Sequence, residues 1–292
     1  MAKKAAVIND LSGFGKCSLN AAIAVLSAFG IQPCSIPTAI LTNQTQFPIY
    51  KTVDFTEHMP DYIDIWKKNN ASFDGIYSGY IANSKQVDFI TEFIDTFKDQ
   101  NTLVLVDPVM GDNGEVYREY SRKMCDKMGE LAAKADFITP NLTELCILTG
   151  NDYFKVSGLP FRAKISAVEE MAYSLADKNN QTVTVTGIID GDKIYNGVFG
   201  QNIELLVTTK YYNISFSGTG DLFASTFFGS LMQGFSTQKA LETAGKFIEI
   251  SILDTICQED IDPNYGVEFE KNLGYLINGE QRPQEIREDS YY

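Results

Sequence analysis

Short β-prone runs alternate with amphipathic helical segments along most of the 292-residue chain, and this alternation restricts the fold more than any other feature. The run Leu-Val-Leu-Val at 103–106 is apolar on both faces of a strand, as a parallel strand covered by helices above and below must be. Strands are expected at 5–8, 35–39, 75–77, 103–106, 137–139 and 183–185. Helices are expected at 19–29, 56–68, 86–98, 121–134, 141–148, 164–178, 222–232 and 238–253. The pattern predicts an α/β fold with a mainly parallel central sheet and helices on both faces. Near the end it changes: 188–195 and 203–208 read as an antiparallel edge hairpin with its turn at Gly191-Asp192. Residues 42–55 show no helical period and contain Pro48, and are expected to form a short flap over a site. No repeat and no Pro- or Ser-rich linker divides the chain, so 1–279 is expected to be a single domain and 280–292 a polar tail that frays.

Hydrophobic residues make up 44% of the sequence, enough for a full core at this length. The net charge of −14 argues against nucleic acid as a partner, because that binding depends on cationic contacts with phosphate. A few nucleotide phosphates remain possible cargo, since a helix N-terminus and a metal ion neutralise them locally. The cysteines, Cys17, Cys34, Cys125, Cys146 and Cys257, form no C-x-x-C pair and are expected to act as small apolar residues in a reducing compartment. His58, the only histidine, lies in a polar stretch where a surface position is expected. No signal-peptide core is visible, and no apolar run approaches the ~18 residues of a membrane span, so a cytoplasmic protein without a membrane partner is expected.

The candidate chemistry begins at Gly218-Thr219-Gly220-Asp221, where a polar stretch turns into an apolar helix. Backbone N–H groups that converge at a helix start have no intrahelical acceptor and favour an anion. A carboxylate at the mouth of such a site can hold and deprotonate a hydroxyl while a phosphoryl group arrives. Plain helix capping by Asp221 is the equal alternative on these four residues alone. In open α/β sheets ligands gather beyond the carboxyl ends of strands, and polar residues cluster there. Asp10 follows the first strand, Asn43 and Thr45 the second, and Tyr80 the third. Asp107 opens the run DPVMGDNG, which includes Asp112; Asn141 and Glu144 follow FITP, and Thr186 and Gly187 follow VTV. Four carboxylates facing one cleft need a cation, and oxygen ligands of this kind suit Mg²⁺. Singly, the same residues read as turn formers, or, for Asn141 and Glu144, as a capping box.

The motifs DPVMGDNG, TPNLTE and SGTGD, in that order, resemble the ribokinase-like superfamily and, within it, the vitamin B6 (pyridoxal, pyridoxine and pyridoxamine) kinases. VINDLSGFGKCSLNAA, LTNQTQF and YSGY resemble the substrate side of the same family. The resemblance runs from about residue 7 to about residue 253. It implies a ribokinase-like fold and an ATP- and Mg²⁺-dependent kinase acting on a primary alcohol, with a monovalent cation as a further candidate and a homodimer as the common assembly. It assigns Asp221 as the base and Gly218, Thr219 and Gly220 as the anion hole. Asp107 and Glu144 would organise Mg²⁺, largely through water. Asn141, Thr186, Gly187 and Asp112 fall on the ATP side, and Asp10, Thr45 and Tyr80 beside the substrate ring. A helix N-terminus lowers a carboxyl pKa, so Asp221 is expected to be a weak base. Two positions depart from the family: Asp10 replaces a small hydroxyl residue, and Gly187 replaces a polar one. Asp10 is expected either to reach the substrate or to cap the Gly-rich turn through the backbone N–H of Ser12 or Gly13.

Three other readings compete. A hydroxymethylpyrimidine kinase of the thiamine pathway shares the ring and alcohol, but commonly has Cys where Asp221 stands. A sugar or nucleoside kinase carries a larger lid than residues 42–55 provide. A catalytically inactive sensor of pyridoxal phosphate has no use for an intact Gly-Thr-Gly-Asp.

Overall fold

The structure, a computed structural model, describes residues 2–118, 120–200 and 203–278. Strand β1 (Lys4–Ser12) leads through a Gly-rich loop into α1 (Ser18–Ala28), and β2 (Gln32–Leu41) continues into a loop and β3 (Thr52–Asp54). Pro60 starts α2 (Pro60–Lys68), which is followed by β4 (Gly75–Ser78), α3 (Ser84–Phe97) and β5 (Leu103–Val106). Next come the short strands β6 (Gly111–Asp112) and β7 (Glu115–Val116), then α4 (Arg122–Ala132), β8 (Phe137–Ile138), α5 (Leu142–Thr149), α6 (Tyr153–Ser157) and α7 (Phe161–Asn179). The chain continues through β9 (Thr182–Asp190), β10 (Lys193–Gly200) and β11 (Ile203–Lys210) to α8 (Thr219–Met232), α9 (Thr237–Ile256) and α10 (Gly274–Asn278).

Among the described residues, nine strands form one sheet in the order β11-β10-β9-β8-β5-β4-β1-β2-β3. The run from β9 to β2 is parallel throughout. Side chains of β1 alternate between two cores: Ala6 and Ile8 join the core under α3, α4, α5 and α7, while Ala5 and Val7 join the core under α1, α8 and α9. This is the period of 2 expected of a strand buried on both faces. From β1 the chain moves to β2 on one side and then to β4 on the other. The loops after β1 and β4 therefore diverge, and a crevice opens beyond their carboxyl ends.

The expected architecture is present, with two corrections at the edges. The expected turn at Gly191-Asp192 is present, but it joins the end of β9 to the start of β10, and 203–208 lies in a third antiparallel strand, β11, paired with β10. β9 does not stop at Val185: it passes Thr186-Gly187 with a register shift against β10, and the Gly187 N–H donates to Asn196 Oδ1 (3.0 Å). A side-chain acceptor on the next strand replaces the missing ladder bond, so the glycine bends the strand instead of ending it. The second correction is that the other edge is antiparallel too, because β3 pairs back on β2. Residues 42–55 are therefore a strand-anchored flap, with Asn43 bonded inside it to the Ile49 carbonyl oxygen (3.0 Å). The expected polar tail at 280–292 lies outside the described residues. Cys17, Cys125 and Cys146 are buried as expected, whereas Cys34 is half-buried and Cys257 exposed, and His58 is exposed against the Phe55 ring. Among the described residues no helix is long and apolar enough to cross a membrane.

Candidate active site

A cleft of about 900 Å³ lies along the carboxyl ends of the parallel strands. Thirteen of the fourteen residues singled out from the sequence line it: Asp10, Thr45, Tyr80, Asp107, Asp112, Asn141, Glu144, Thr186, Gly187, Gly218, Thr219, Gly220 and Asp221. Asn43 does not. Thr45 and Asp112 are exposed at the rim, whereas Asp10, Asp107 and Glu144 are buried in the wall.

The anion turn is built by Gly218, which adopts φ 79° ahead of α8. A Cβ there would sit 2.2 Å from the Lys16 carbonyl oxygen, so both backbone conformation and space require glycine. The first α8 bond runs from Leu222 N–H to Gly218 C=O (3.0 Å). The N–H groups of Thr219, Gly220 and Asp221 thus precede the helix's own ladder and form the positive end of its dipole. A Cβ on Gly220 would meet nothing within 4 Å, which leaves open space over these donors. The Thr219 hydroxyl is committed elsewhere, donating to Phe216 C=O (3.1 Å).

Asp221 accepts from Asn9 Nδ2 (3.1 Å) and from the Ser18 N–H. Its carboxyl is pushed up to about 6, first by burial and then by the Asp10 charge, against the lowering effect of those hydrogen bonds. The expectation of a weak base is therefore corrected: desolvation outweighs the helix N-terminus, and Asp221 is ionised at neutral pH yet basic enough to take a proton. Asp10 accepts from the hydroxyls of Ser12 (3.1 Å) and Ser18, and burial raises its pKa. The Gly13 N–H bonds to Leu41 C=O (2.8 Å), so this donor is not the one Asp10 caps. Ser18 is a non-glycine at φ 54° whose hydroxyl serves Asp10 and whose N–H serves Asp221.

Asp107 accepts from Thr139 Oγ1 (3.0 Å), and burial, with Asp221 nearby, pushes its carboxyl up to about 8. Glu144 forms a complete capping box with Asn141: its Oε2 accepts from Asn141 N–H (2.9 Å), and its own N–H donates to Asn141 Oδ1 (3.0 Å). Its Oε1 accepts from Met110 N–H (3.0 Å). Burial and the Asp107 charge hold it well above the usual carboxylate range. The capping and functional readings of this motif are thus compatible, but both Glu144 oxygens are already engaged by the backbone.

Buried carboxylates that resist ionisation suit a cation, which would stabilise their charged forms. Among the described residues no three acidic, histidine or cysteine side chains converge as a metal cage. Asp107 keeps a carboxylate oxygen that accepts no hydrogen bond from the described residues, whereas both Glu144 oxygens accept from backbone N–H groups, so of the two only Asp107 offers an oxygen free for a hydrated cation that takes one or two carboxylates, as Mg²⁺ does.

Three contributors escaped the sequence reading. Asn9 is fully buried beneath the cleft and resembles a core position of β1. Gln44 ties the flap to the C-terminal segment through Nε2 and Asn264 C=O (2.6 Å). The β6–β7 hairpin carries the Asn113-Gly114 turn, both residues at positive φ, and Gly111 C=O accepts from Asn141 Nδ2 (2.9 Å). Only the hairpin had a local signal, since Asn-Gly is the preferred two-residue hairpin turn.

The sequence profile of the phosphomethylpyrimidine kinase family matches residues 15–263. The chain belongs to this family. A pyridoxal kinase from Pasteurella multocida is 33% identical over 219 residues, 70% of each chain. One from Dictyostelium discoideum is 26% identical over 265 residues, 87% of this chain and 85% of that one. A solved structure from Bacteroides thetaiotaomicron, described as a phosphomethylpyrimidine kinase and crystallised with pyridoxal, superimposes with a TM-score of 0.88 at 37% identity, covering 94% of this chain and 96% of that one. Family membership makes the chain a phosphotransferase with an alcohol as acceptor, on a ribokinase-like fold. Within the family, this member places a carboxylate at position 221 and a second one, Asp10, hydrogen-bonded through the same serine.

Proposed function

We propose that this chain transfers the γ-phosphoryl group of ATP to the 5′-hydroxymethyl group of a vitamin B6 vitamer, giving pyridoxal 5′-phosphate or its analogue in cofactor salvage. The observation that carries the reading is the Asp221 carboxylate, basic near neutral pH, at the head of an open anion turn. The similarity to pyridoxal kinases and to a protein crystallised with pyridoxal supplies the acceptor class.

In this reading Asp221 receives the proton of the alcohol, and the turn Gly218-Thr219-Gly220, through the N–H groups that precede the α8 ladder, stabilises the transferring phosphoryl charge. Asp10, Thr45 and Tyr80 hold the ring side of the substrate. Asn141, Thr186, Gly187 and Asp112 face the nucleotide. Asp107 and, through water, Glu144 would hold Mg²⁺, which when bound supplies charge neutralisation on the phosphates. A monovalent cation, a homodimer, a single domain over 1–279 and a cytoplasmic location complete the reading by likeness to the family.

The family's own name favours a hydroxymethylpyrimidine as the competing acceptor. Asp rather than Cys at position 221 favours the vitamer. An ATP-consumption assay with pyridoxal, pyridoxine, pyridoxamine and the hydroxymethylpyrimidine separates them. Turnover is expected with at least one vitamer at the highest kcat/KM; preference for the pyrimidine would replace the reading, and ATP binding without turnover would make the chain a sensor.

A further inference from the structure

Asn9 is a fully buried polar side chain that touches the proposed base, and nothing in the roles above uses it. We infer that Asn9 is a positioning residue for phosphoryl transfer, whose side-chain amide holds Asp221 in fixed relation to the end of β1 and the loop after β4, which form the acceptor side of the cleft. The inference deepens the functional reading and rests on it.

One amide joins three walls. Asn9 Nδ2 donates to Asp221 Oδ1 (3.1 Å) on α8. Asn9 Oδ1 accepts from the Asp10 N–H (2.9 Å) in β1 and from the Tyr80 N–H (2.9 Å) in the loop after β4. Two N–H donors converge on a single atom, so that atom is the carbonyl oxygen and the NH₂ group must face the carboxylate. A flip would lose both backbone bonds and set an oxygen against the Asp221 charge. The base is therefore offered a neutral donor whose orientation the backbone dictates, and the same atoms fix Asp10 and Tyr80.

Gly79 belongs to the arrangement. A Cβ at that position would lie 2.4 Å from Asn9 Nδ2 and 2.7 Å from Asn9 Cγ. The glycine of Tyr77-Ser78-Gly79-Tyr80 thus makes room for the amide. These contacts fall at the switch between β1 and β4, where the crevice opens, so a shift of Asn9 changes the spacing between base and acceptor rather than the fold of either core.

The test separates the two ends of the amide. Asn9→Asp keeps an oxygen for the Asp10 and Tyr80 N–H groups but sets a second carboxyl against Asp221. Ionised, it repels the base; protonated, it shares its proton with the base; in either state Asp221 is a poorer proton acceptor. On whichever of the four alcohols the wild-type chain turns over best, kcat is expected to fall about 10- to 100-fold, the effect of one hydrogen bond to a charged group. The KM values for that alcohol and for ATP stay within about twofold, because the loss is confined to the reacting step. Asn9→Ala lowers kcat at least as far and raises the KM of the alcohol as well, since β1 and the loop after β4 lose their shared acceptor. Gly79→Ala acts in the same direction and adds little to Asn9→Ala, because the displaced amide is already gone. Wild-type kcat in Asn9→Asp, or a loss expressed only through KM, overturns the inference. If Asn9→Asp does not fold, Asn9→Ala decides: wild-type kcat with a raised KM would make Asn9 a loop support alone. A wild-type chain that turns over only the pyrimidine overturns the vitamer reading, and the Asn9 comparison is then read on that alcohol.

Discussion

Asp221 is hydrogen-bonded by Asn9 and the Ser18 N–H, yet burial keeps its carboxyl at about 6. Replacing it by Asn preserves the shape and the anion turn, so Asp221→Asn should bind ATP normally while kcat falls about 10²–10⁴-fold, the usual loss of a general base. ATP titration together with steady-state kinetics on the best acceptor checks this, and near wild-type kcat would remove Asp221 from the chemistry. The same group predicts a pH profile. The base works only when ionised, so kcat/KM of the free enzyme should be level above about 6 and decline with falling pH through that value. A profile flat down to the ordinary carboxylate range would contradict the raised pKa. Asp221 was legible in the sequence because its neighbours form a motif. Asn9 was not, because one polar residue at the end of an apolar strand has no local signature; its role depends on Asp221 and Tyr80, far away in the chain. The sign of the Asp221 shift was misjudged for a related reason: helix position can be read from sequence, but the depth of burial cannot.

At the scale of elements, the helix α8 and the turn before it carry the clearest prediction. Gly218→Ala must force φ 79° on alanine and press a Cβ to 2.2 Å from the Lys16 carbonyl oxygen, so thermal unfolding should show a loss of at least about 2 kcal/mol together with lost turnover. Gly220→Ala meets nothing within 4 Å in the protein itself, so the melting temperature should hold while the new methyl group intrudes on the phosphoryl space and lowers kcat. Equal stability losses in both variants would contradict this division between a structural and a functional glycine. The parallel strands and the helices around them were legible because buried strands of the type Leu103–Val106 and amphipathic helices have different periods. The boundary between β9 and β10 was less so. Thr186-Gly187 reads as a turn, and only the Asn196 acceptor on β10 shows that the strand continues.

For the molecule as a whole, the buried carboxylates couple stability to pH. Asp107 and Asp221 sit at about 8 and about 6, above the ordinary 3.8, so between those values the folded chain binds more protons than the unfolded chain. Stability then falls as pH rises, and the penalty is complete only above about 8. Without ATP and Mg²⁺, the melting temperature should decrease from about pH 5 to about pH 8, and Asp107→Asn should flatten the decrease. Adding ATP with Mg²⁺ should raise the melting temperature more at the upper end of that range, because a cation favours the ionised carboxylates. A melting temperature that rises with pH in the unliganded protein would contradict the electrostatic reading of the site. The clustering of the site on one sheet edge was foreseeable from the positions of Asp10, Tyr80, Asp107, Asn141 and Thr186 after successive strands, whereas the engagement of both Glu144 oxygens by backbone N–H groups required three-dimensional contacts. The most direct measurement is identification of the product formed from ATP and the vitamer that is turned over best, by mass and phosphorus NMR. A phosphate monoester on the 5′ oxygen, formed in step with ADP and lost in Asp221→Asn, is the predicted result. ADP release without a phosphorylated vitamer, or an ester formed equally well by Asp221→Asn, would contradict it.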